Sequence, residues 1–151
     1  MLQYIEQLSR GESVARGPGV PELPPPVARL IGIEFEAAER GRARFALEAG
    51  RQHHNPMGTV HGGILSDLAD AAMGMAMATT LEPGESFTTL ELKISFLRPV
   101  FSGRLLADAQ IVHAGRTIRV AECTVADADG RVVARSSSTL MALRGEQARG
   151  R

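Results

Sequence analysis

Cysteine appears once in the 151 residues, at Cys123, which excludes an intrachain disulfide and a cysteine-based zinc cluster and suits a reducing cytoplasm. Tryptophan is absent and Tyr4 is the only tyrosine, so a pocket for an organic group is expected to be aliphatic and permissive. Net charge is missing as well. The 17 basic and 17 acidic side chains cancel, whereas nucleic-acid and membrane-surface binders carry a basic excess. Along the chain the balance is uneven: residues 91–144 hold 8 basic and 5 acidic side chains, which suits a phosphate-bearing small ligand. No long apolar run is free of charge. The longest, residues 61–81, contains Asp67 and Asp70, each costing about 2.5–3.5 kcal/mol at a bilayer centre, so it is not expected to span a membrane. Glu6 and Glu12 interrupt the N-terminus, which does not read as a secretory signal.

What is present fits one domain. Leu2, Ile5 and Leu8 fall at helical spacing ahead of Gly11, and GPGVPELPPP (residues 17–26) cannot continue a helix, since each proline lacks a donor and fixes φ. Residues 1–26 therefore read as a short helix and connector, 27–144 as the folded domain, and 145–151 as a disordered polar tail. Within the domain, Pro26 can start a short helix that Gly32 stops. Alternation around Ile33 and Phe35, then Ala43, Phe45 and Leu47, predicts a hairpin turning at Arg40-Gly41. A helix over 61–80 follows. Period-two patterning returns at Leu90, Leu92, Ile94 and Phe96, a half-buried strand ended by Arg98-Pro99. Three more strands are expected over 105–113, 117–126 and 131–143, the last two joined by the turn DADG. Hairpin, helix and four strands make an α+β fold with an antiparallel sheet.

The helix poses the question of function. On a wheel of about 100° per residue, Ile64, Leu65, Leu68, Ala69, Ala72, Met75 and Ala76 share one side. The other side holds Gly63, Ser66, Asp67, Asp70, Met73, Gly74 and Met77, without one Lys, Arg or Glu. Such a face is not built for water; either a second copy of the chain covers it or the chain encloses it itself. A carboxylate there is unfavourable unless partnered, and is often functional. Gly62-Gly63 at the helix start leaves N–H groups uncovered at the positive end of the helix dipole, where an oxyanion can be held. His61 and Asp70 stand nine residues apart, roughly 180° in azimuth and about 13 Å in rise, so they cannot meet on one helix. If Gly62 supplies the donor and Asp70 the base, the two come from different subunits.

Asn55, Gly58, His61-Gly62-Gly63 and Asp70, followed by TTLELKISFLRP, HAGRTIRVAECTVADADG and VVARSSSTLMAL, resemble the hotdog-fold acyl-CoA thioesterases of the phenylacetate-pathway (PaaI) type over about residues 27–143. HGG alone says little, but the spacing N-x5-HGG-x6-D with the strand after it is specific. The resemblance implies a curved antiparallel sheet wrapped around a long helix, homodimers with sites at the interface, and often homotetramers. It implies an acyl-CoA substrate, no separate cofactor and no metal. By position, Asp70 becomes general base or nucleophile, Gly62 N–H the group polarising the carbonyl, Asn55 the holder of water or acyl group, His61 an orienter of the thioester, and Thr89 a contact of the water or of Asp70. The CoA moiety falls to His113, Ala114, Gly115, Arg116 and Thr117, and to Arg135, Ser136 and Ser137. Asp67 matches no catalytic position and is given a structural role.

Other chemistries find little support. There is no G-x-S-x-G elbow, no phosphate loop and no G-x-G-x-x-G after a strand. DADG lacks the Glu of a calcium loop, with Ser138 at the twelfth position. His53, His54 and His61 lack metal-ligand spacing, and Cys123 reads as core. Met73 and Met77 are core residues or liners of an acyl pocket. Two alternatives to hydrolysis stay open on residue identity: an acyl-thioester hydratase or dehydratase, and a non-catalytic acyl-CoA-binding protein.

Overall fold

A computed structural model describes Ile5, Gln7 and residues 23–149 of the chain. Ile5 and Gln7 are helical and Ile5 is fully buried, while most of the expected N-terminal helix and residues 17–22 of the connector lie outside the described residues. Helix α1, Pro26–Ile31, has proline at its first position and ends where Gly32 turns to φ 88 and donates its N–H to Ala28 O at 2.8 Å. Strands β1 (Ile33–Glu39) and β2 (Arg42–Ala49) form the hairpin, with Gly41 at φ 76 in the turn. Helix α2 runs Gly62–Ala78, and β3 (Ser86–Phe96), β4 (Gly103–Ala114), β5 (Ile118–Asp127) and β6 (Val132–Leu143) follow.

All six strands join one antiparallel sheet in the order β1-β2-β4-β5-β6-β3, and α2 packs against every one of them. A flat sheet could not touch one helix along all its strands, so the sheet curves around α2, as the resemblance implies. Small residues permit this closeness. Ala69, Ala72 and Ala76 of the helix meet Ala107, Ala109, Ala121, Cys123 and Ala134 of the sheet, and Leu65, Leu68, Leu47, Leu105 and Leu140 fill the spaces between. The described part has no helix long and apolar enough to cross a membrane.

Three expectations need correction. First, the far side of α2 does not wait wholly on a second copy: Met73 and Met77, read as core or as acyl-pocket liners, are 0% exposed in the single chain, because the curved sheet reaches further round the helix than a flat one does. They belong to the core. What stays open on α2 is narrower by those two: Gly63 and Asp67 are exposed, and Gly62, Ile64, Ser66, Asp70, Ala71, Gly74 and Ala78 half-buried. Second, β3 is not a strand with one buried face from Leu90 to Phe96. It begins earlier, at Ser86, lies at the sheet edge, and leaves Leu90 and Phe96 each 53% exposed. Third, Gly145–Ala148, expected as disordered tail, forms a short 3-10 turn, which Gly145 enters at φ 57 and an Arg149–Glu146 ion pair at 3.4 Å accompanies. DADG is a turn, with Asp127 Oδ1 accepting from the N–H groups of Asp129 and Arg131.

Candidate active site

The loop before α2 is closed by its own hydrogen bonds. Two backbone bonds tie its limbs together, His61 N–H donating to His53 O at 2.8 Å and Asn55 N–H to Thr59 O at 2.8 Å, so that His54 pairs with Val60 as an isolated bridge. His53, buried, uses Nδ1 to accept from Gly50 N–H (3.1 Å), so Nε2 carries the proton and donates to Ile31 O (2.8 Å). At the loop's tip, Asn55 Oδ1 accepts from the N–H groups of Met57 (2.9 Å) and Thr59 (3.2 Å), and its amide donates to Thr59 Oγ1 (2.9 Å). Asn55 therefore shapes the turn, with Gly58 at φ 79 completing it, and one amide N–H remains for another partner.

His61 caps the helix. Its Nδ1 accepts from Gly63 N–H at 2.9 Å, which fixes the tautomer with the proton on Nε2. The Gly63 amide is thus consumed. The Gly62 N–H has no acceptor among the described residues, and it stands at the first helical position, where the dipole favours negative charge. This cap was not legible beforehand, since histidine is not among the preferred cap residues.

Eight residues further along α2, Asp70 is half-buried and its Oδ1 is shut off from solvent with no donor among the described residues. Burial raises its pKa above the ordinary carboxylate value, the negative charge of Asp67 raises it further, and the nearby Thr89 hydroxyl pulls it partly back. Asp67 is exposed and makes no ion pair among the described residues, so the structural role expected of it has no partner there; its charge acts on Asp70.

Thr89 reaches Asp70 because the β3–β6 ladder slips there. Thr89 pairs with Leu140 and Glu91 with Thr139, which leaves Leu90 as the extra residue of a bulge. Above the bulge Phe87 and Thr89 face the helix; below it Leu92, Ile94 and Phe96 do, opposite the buried Ser138, Ser136 and Ala134 of β6. The out-of-phase apolar positions Phe87 and Leu92 were the sequence signal for this break. Phe96 was also missed as a site residue: a Cβ on Gly62 would fall 2.8 Å from its Cζ, so the ring presses on the helix start. A groove of about 370 Å³ opens there, lined by Asn55, Val60, Gly62, Leu65, Phe96 and Val100 among others.

The two segments assigned to CoA are not brought together within one chain. The 113–117 turn lies beside the end of β6, where Ala142 N–H donates to Thr117 O (2.8 Å) and Arg144 to Arg116 O (2.6 Å). Gly115 is required in it, because a Cβ would sit 2.5 Å from Ile118 O. His113, Ala114, Arg116 and Thr117 are exposed. Arg135 pairs with Ser95 toward the opposite end of the sheet, and strand alternation separates it and Ser137 from Ser136, which is buried and donates to Lys93 O (2.9 Å). Arg135 and Ser137 line a larger concavity of about 750 Å³ that includes neither Asp70 nor Gly62. Among the described residues no three His, Cys, Asp or Glu side chains gather in a metal-binding cluster.

A curved antiparallel sheet wrapped around a long helix defines the hotdog fold, and a half-buried acid and an open N-terminal amide on that helix suit a hydrolase of thioesters. Residues 57–134 match the thioesterase superfamily, and the chain belongs to that family. It is similar to the 1,4-dihydroxy-2-naphthoyl-CoA hydrolase of Listeria monocytogenes, 32% identical over 73% of this chain and 89% of that one. The proofreading thioesterase EntH of Klebsiella pneumoniae is 31% identical over 67% of this chain and 74% of its own length. Among solved structures, a thioesterase family protein from Silicibacter pomeroyi superposes with a TM-score of 0.74 at 34% identity, covering 80% of this chain and 90% of the other. The E. coli PaaI protein of the phenylacetic acid degradation operon does so with 0.74 at 28% identity, covering 79% and 85%.

Proposed function

We propose that this thioesterase hydrolyses the CoA thioester of a small to medium acyl or aryl-acyl group, with each site shared between two subunits. One observation carries the reading: among the described residues, a buried carboxylate oxygen without a donor, Asp70 Oδ1, and an amide without an acceptor, Gly62 N–H, occupy one rigid helix about 12 Å apart along its axis. Neither can serve the other within a chain. The sheet edge supports the way they meet. β3 is an 11-residue strand with one side unpaired among the described residues, and such edges invite pairing with another chain. Antiparallel pairing of two β3 strands about their middle sets the Thr89 end of one beside the Phe96 end of the other, and so carries Asp70 toward the start of the partner's α2.

In this scheme the Asp70 carboxylate takes a proton from water as the water attacks the thioester carbonyl. Gly62 N–H and the helix dipole hold the oxyanion of the tetrahedral intermediate. Collapse breaks the C–S bond and releases the acid, and the departing thiolate takes up the proton. The Thr89 hydroxyl steadies Asp70 or its water, His61 offers Nε2–H toward the thioester, and Asn55 offers its spare amide N–H to the water or acyl group. Arg116, on the turn nearer Asp70, supplies a charge-assisted donor for CoA phosphate. CoA is part of the substrate, and no cofactor enters the scheme.

The test is release of free thiol over a panel of aliphatic and aryl-CoA thioesters. Turnover that falls by about 10²-fold or more in Asp70→Asn supports the assignment; a variant cleaving at the wild-type rate overturns it.

A further inference from the structure

We propose that Phe96 selects the acyl group, favouring a planar aryl group at the carbonyl over a linear chain; this rests on the reading of the site given above. Phe96 closes the inner face of β3 and points the tip of its ring at Gly62. A Cβ built there would lie 2.8 Å from Cζ, 3.1 Å from Cε2 and 3.3 Å from Cε1. Half of the side chain nevertheless stays open, at 53% exposure. The ring is anchored at its tip against the helix and free along its flank. A carbonyl oxygen bonded to Gly62 N–H lies about 3 Å from that nitrogen, so the atoms attached to the carbonyl carbon fall within contact of the ring.

The surroundings decide which part of the substrate this is. Beside Phe96 the groove is lined by the apolar Val60, Leu65, Leu97, Pro99 and Val100, with Asn55, Thr59 and Arg98 as its polar members and Phe96 the single aromatic among its lining residues. The five apolar side chains beside the ring outnumber the polar ones and suit the acyl side of the substrate. The pocket expected from composition to be aliphatic and permissive therefore has one aromatic wall, placed next to the reacting carbon. Aromatic rings meet edge-to-face or offset with a preference worth up to about tenfold over the same area of aliphatic contact.

The experiment compares kcat/KM for benzoyl-CoA and hexanoyl-CoA in the wild-type protein, Phe96→Leu and Phe96→Tyr. The wild type is expected to prefer benzoyl-CoA, and the benzoyl-to-hexanoyl ratio to fall about five- to tenfold in Phe96→Leu while Phe96→Tyr, which keeps the ring, retains it. An unchanged ratio in Phe96→Leu, or an equal loss in Phe96→Tyr, overturns the role of the ring and leaves thioester hydrolysis standing. Absence of thiol release from both substrates by the wild type would overturn the underlying reading as well.

Discussion

The Thr89 hydroxyl lies against the Asp70 carboxylate because Leu90, the residue after it, is squeezed out of the β3–β6 ladder. Without that bulge, strict alternation from Leu92 and Ile94 would turn Leu90 toward the helix and Thr89 away from it. A single extra residue thus exchanges a hydrocarbon for a hydrogen-bond donor beside the buried acid. Removing the donor removes the one influence that lowers the Asp70 pKa. Thr89→Val should therefore move the acid limb of the kcat/KM profile to higher pH, and Thr89→Ser should keep it in place. A limb that stays put in Thr89→Val would show that the hydroxyl does not act on the acid.

Asp67 acts in the opposite sense. Its charge raises the Asp70 pKa from an exposed position one helical turn away. Asp67→Asn should shift the acid limb to lower pH without abolishing turnover. Because Asp67 faces solvent, the shift should shrink as salt rises from low to about 0.5 M, where screening falls well inside 10 Å. A pH profile identical to wild type at low salt would remove Asp67 from the account.

Asp70 also trades stability for function. A carboxyl whose folded pKa stands above its unfolded value holds a proton in the native state that the unfolded chain has released. Stability is therefore lost as pH rises from the unfolded pKa through the raised folded one, and the full penalty applies above both. Asp70→Asn lifts that penalty. At pH 7 the variant should melt a few degrees higher than wild type while turning over about 10²-fold more slowly, and by about pH 3, below both pKa values, the two melting curves should converge. Thermal scans across pH decide the matter; a variant less stable than wild type at neutral pH contradicts the sign.

Legibility followed length scale. Elements set by periodicity came through: α2, the Arg40-Gly41 hairpin, the turn at DADG, and three strands within two residues of their ends. So did Asp70 as the acid out of place on an apolar helix. What could not be read depends on contacts between elements. Curvature of the sheet decides whether Met73 and Met77 are inside, and the bulge at Leu90 becomes visible only when β3 lies against β6. Phe96 was read as one more apolar position of a strand. Its meeting with Gly62 requires knowing that β3 runs past the start of α2. The resemblance makes His61 an orienter of the thioester, while its Nδ1 is spent on Gly63, a local geometry that residue identity does not announce.

That cap carries its own consequence. His61 Nδ1 holds the Gly63 N–H, one of the first amides of a 17-residue helix that packs on the whole sheet. His61→Ala should cost about 1 kcal/mol of unfolding free energy, and His61→Asn, whose side chain can accept the same bond, should recover most of it. Urea unfolding of the three proteins is the measurement. Equal stability of His61→Ala and wild type would show that the cap is not energetically felt.

The sharing of a site between subunits can be tested with two inactive proteins. Gly62→Pro deletes the N–H, and the position tolerates it: proline is favoured at the first turn of a helix, and His61 at φ −62, ψ 137 already has the extended backbone that precedes proline. Phe96, whose ring is half exposed, has to rotate to admit the new side chain. Asp70→Asn deletes the base. Each homodimer then lacks one component in both of its sites. In a heterodimer, one site receives the intact Gly62 from the Asp70→Asn chain and the intact Asp70 from the Gly62→Pro chain, while the other site lacks both. Random exchange of subunits makes half of all dimers mixed, so activity should return to about a quarter of the wild-type value per dimer. If acid and amide instead worked within one chain, every site would carry one lesion whatever its partner, and mixing would restore nothing.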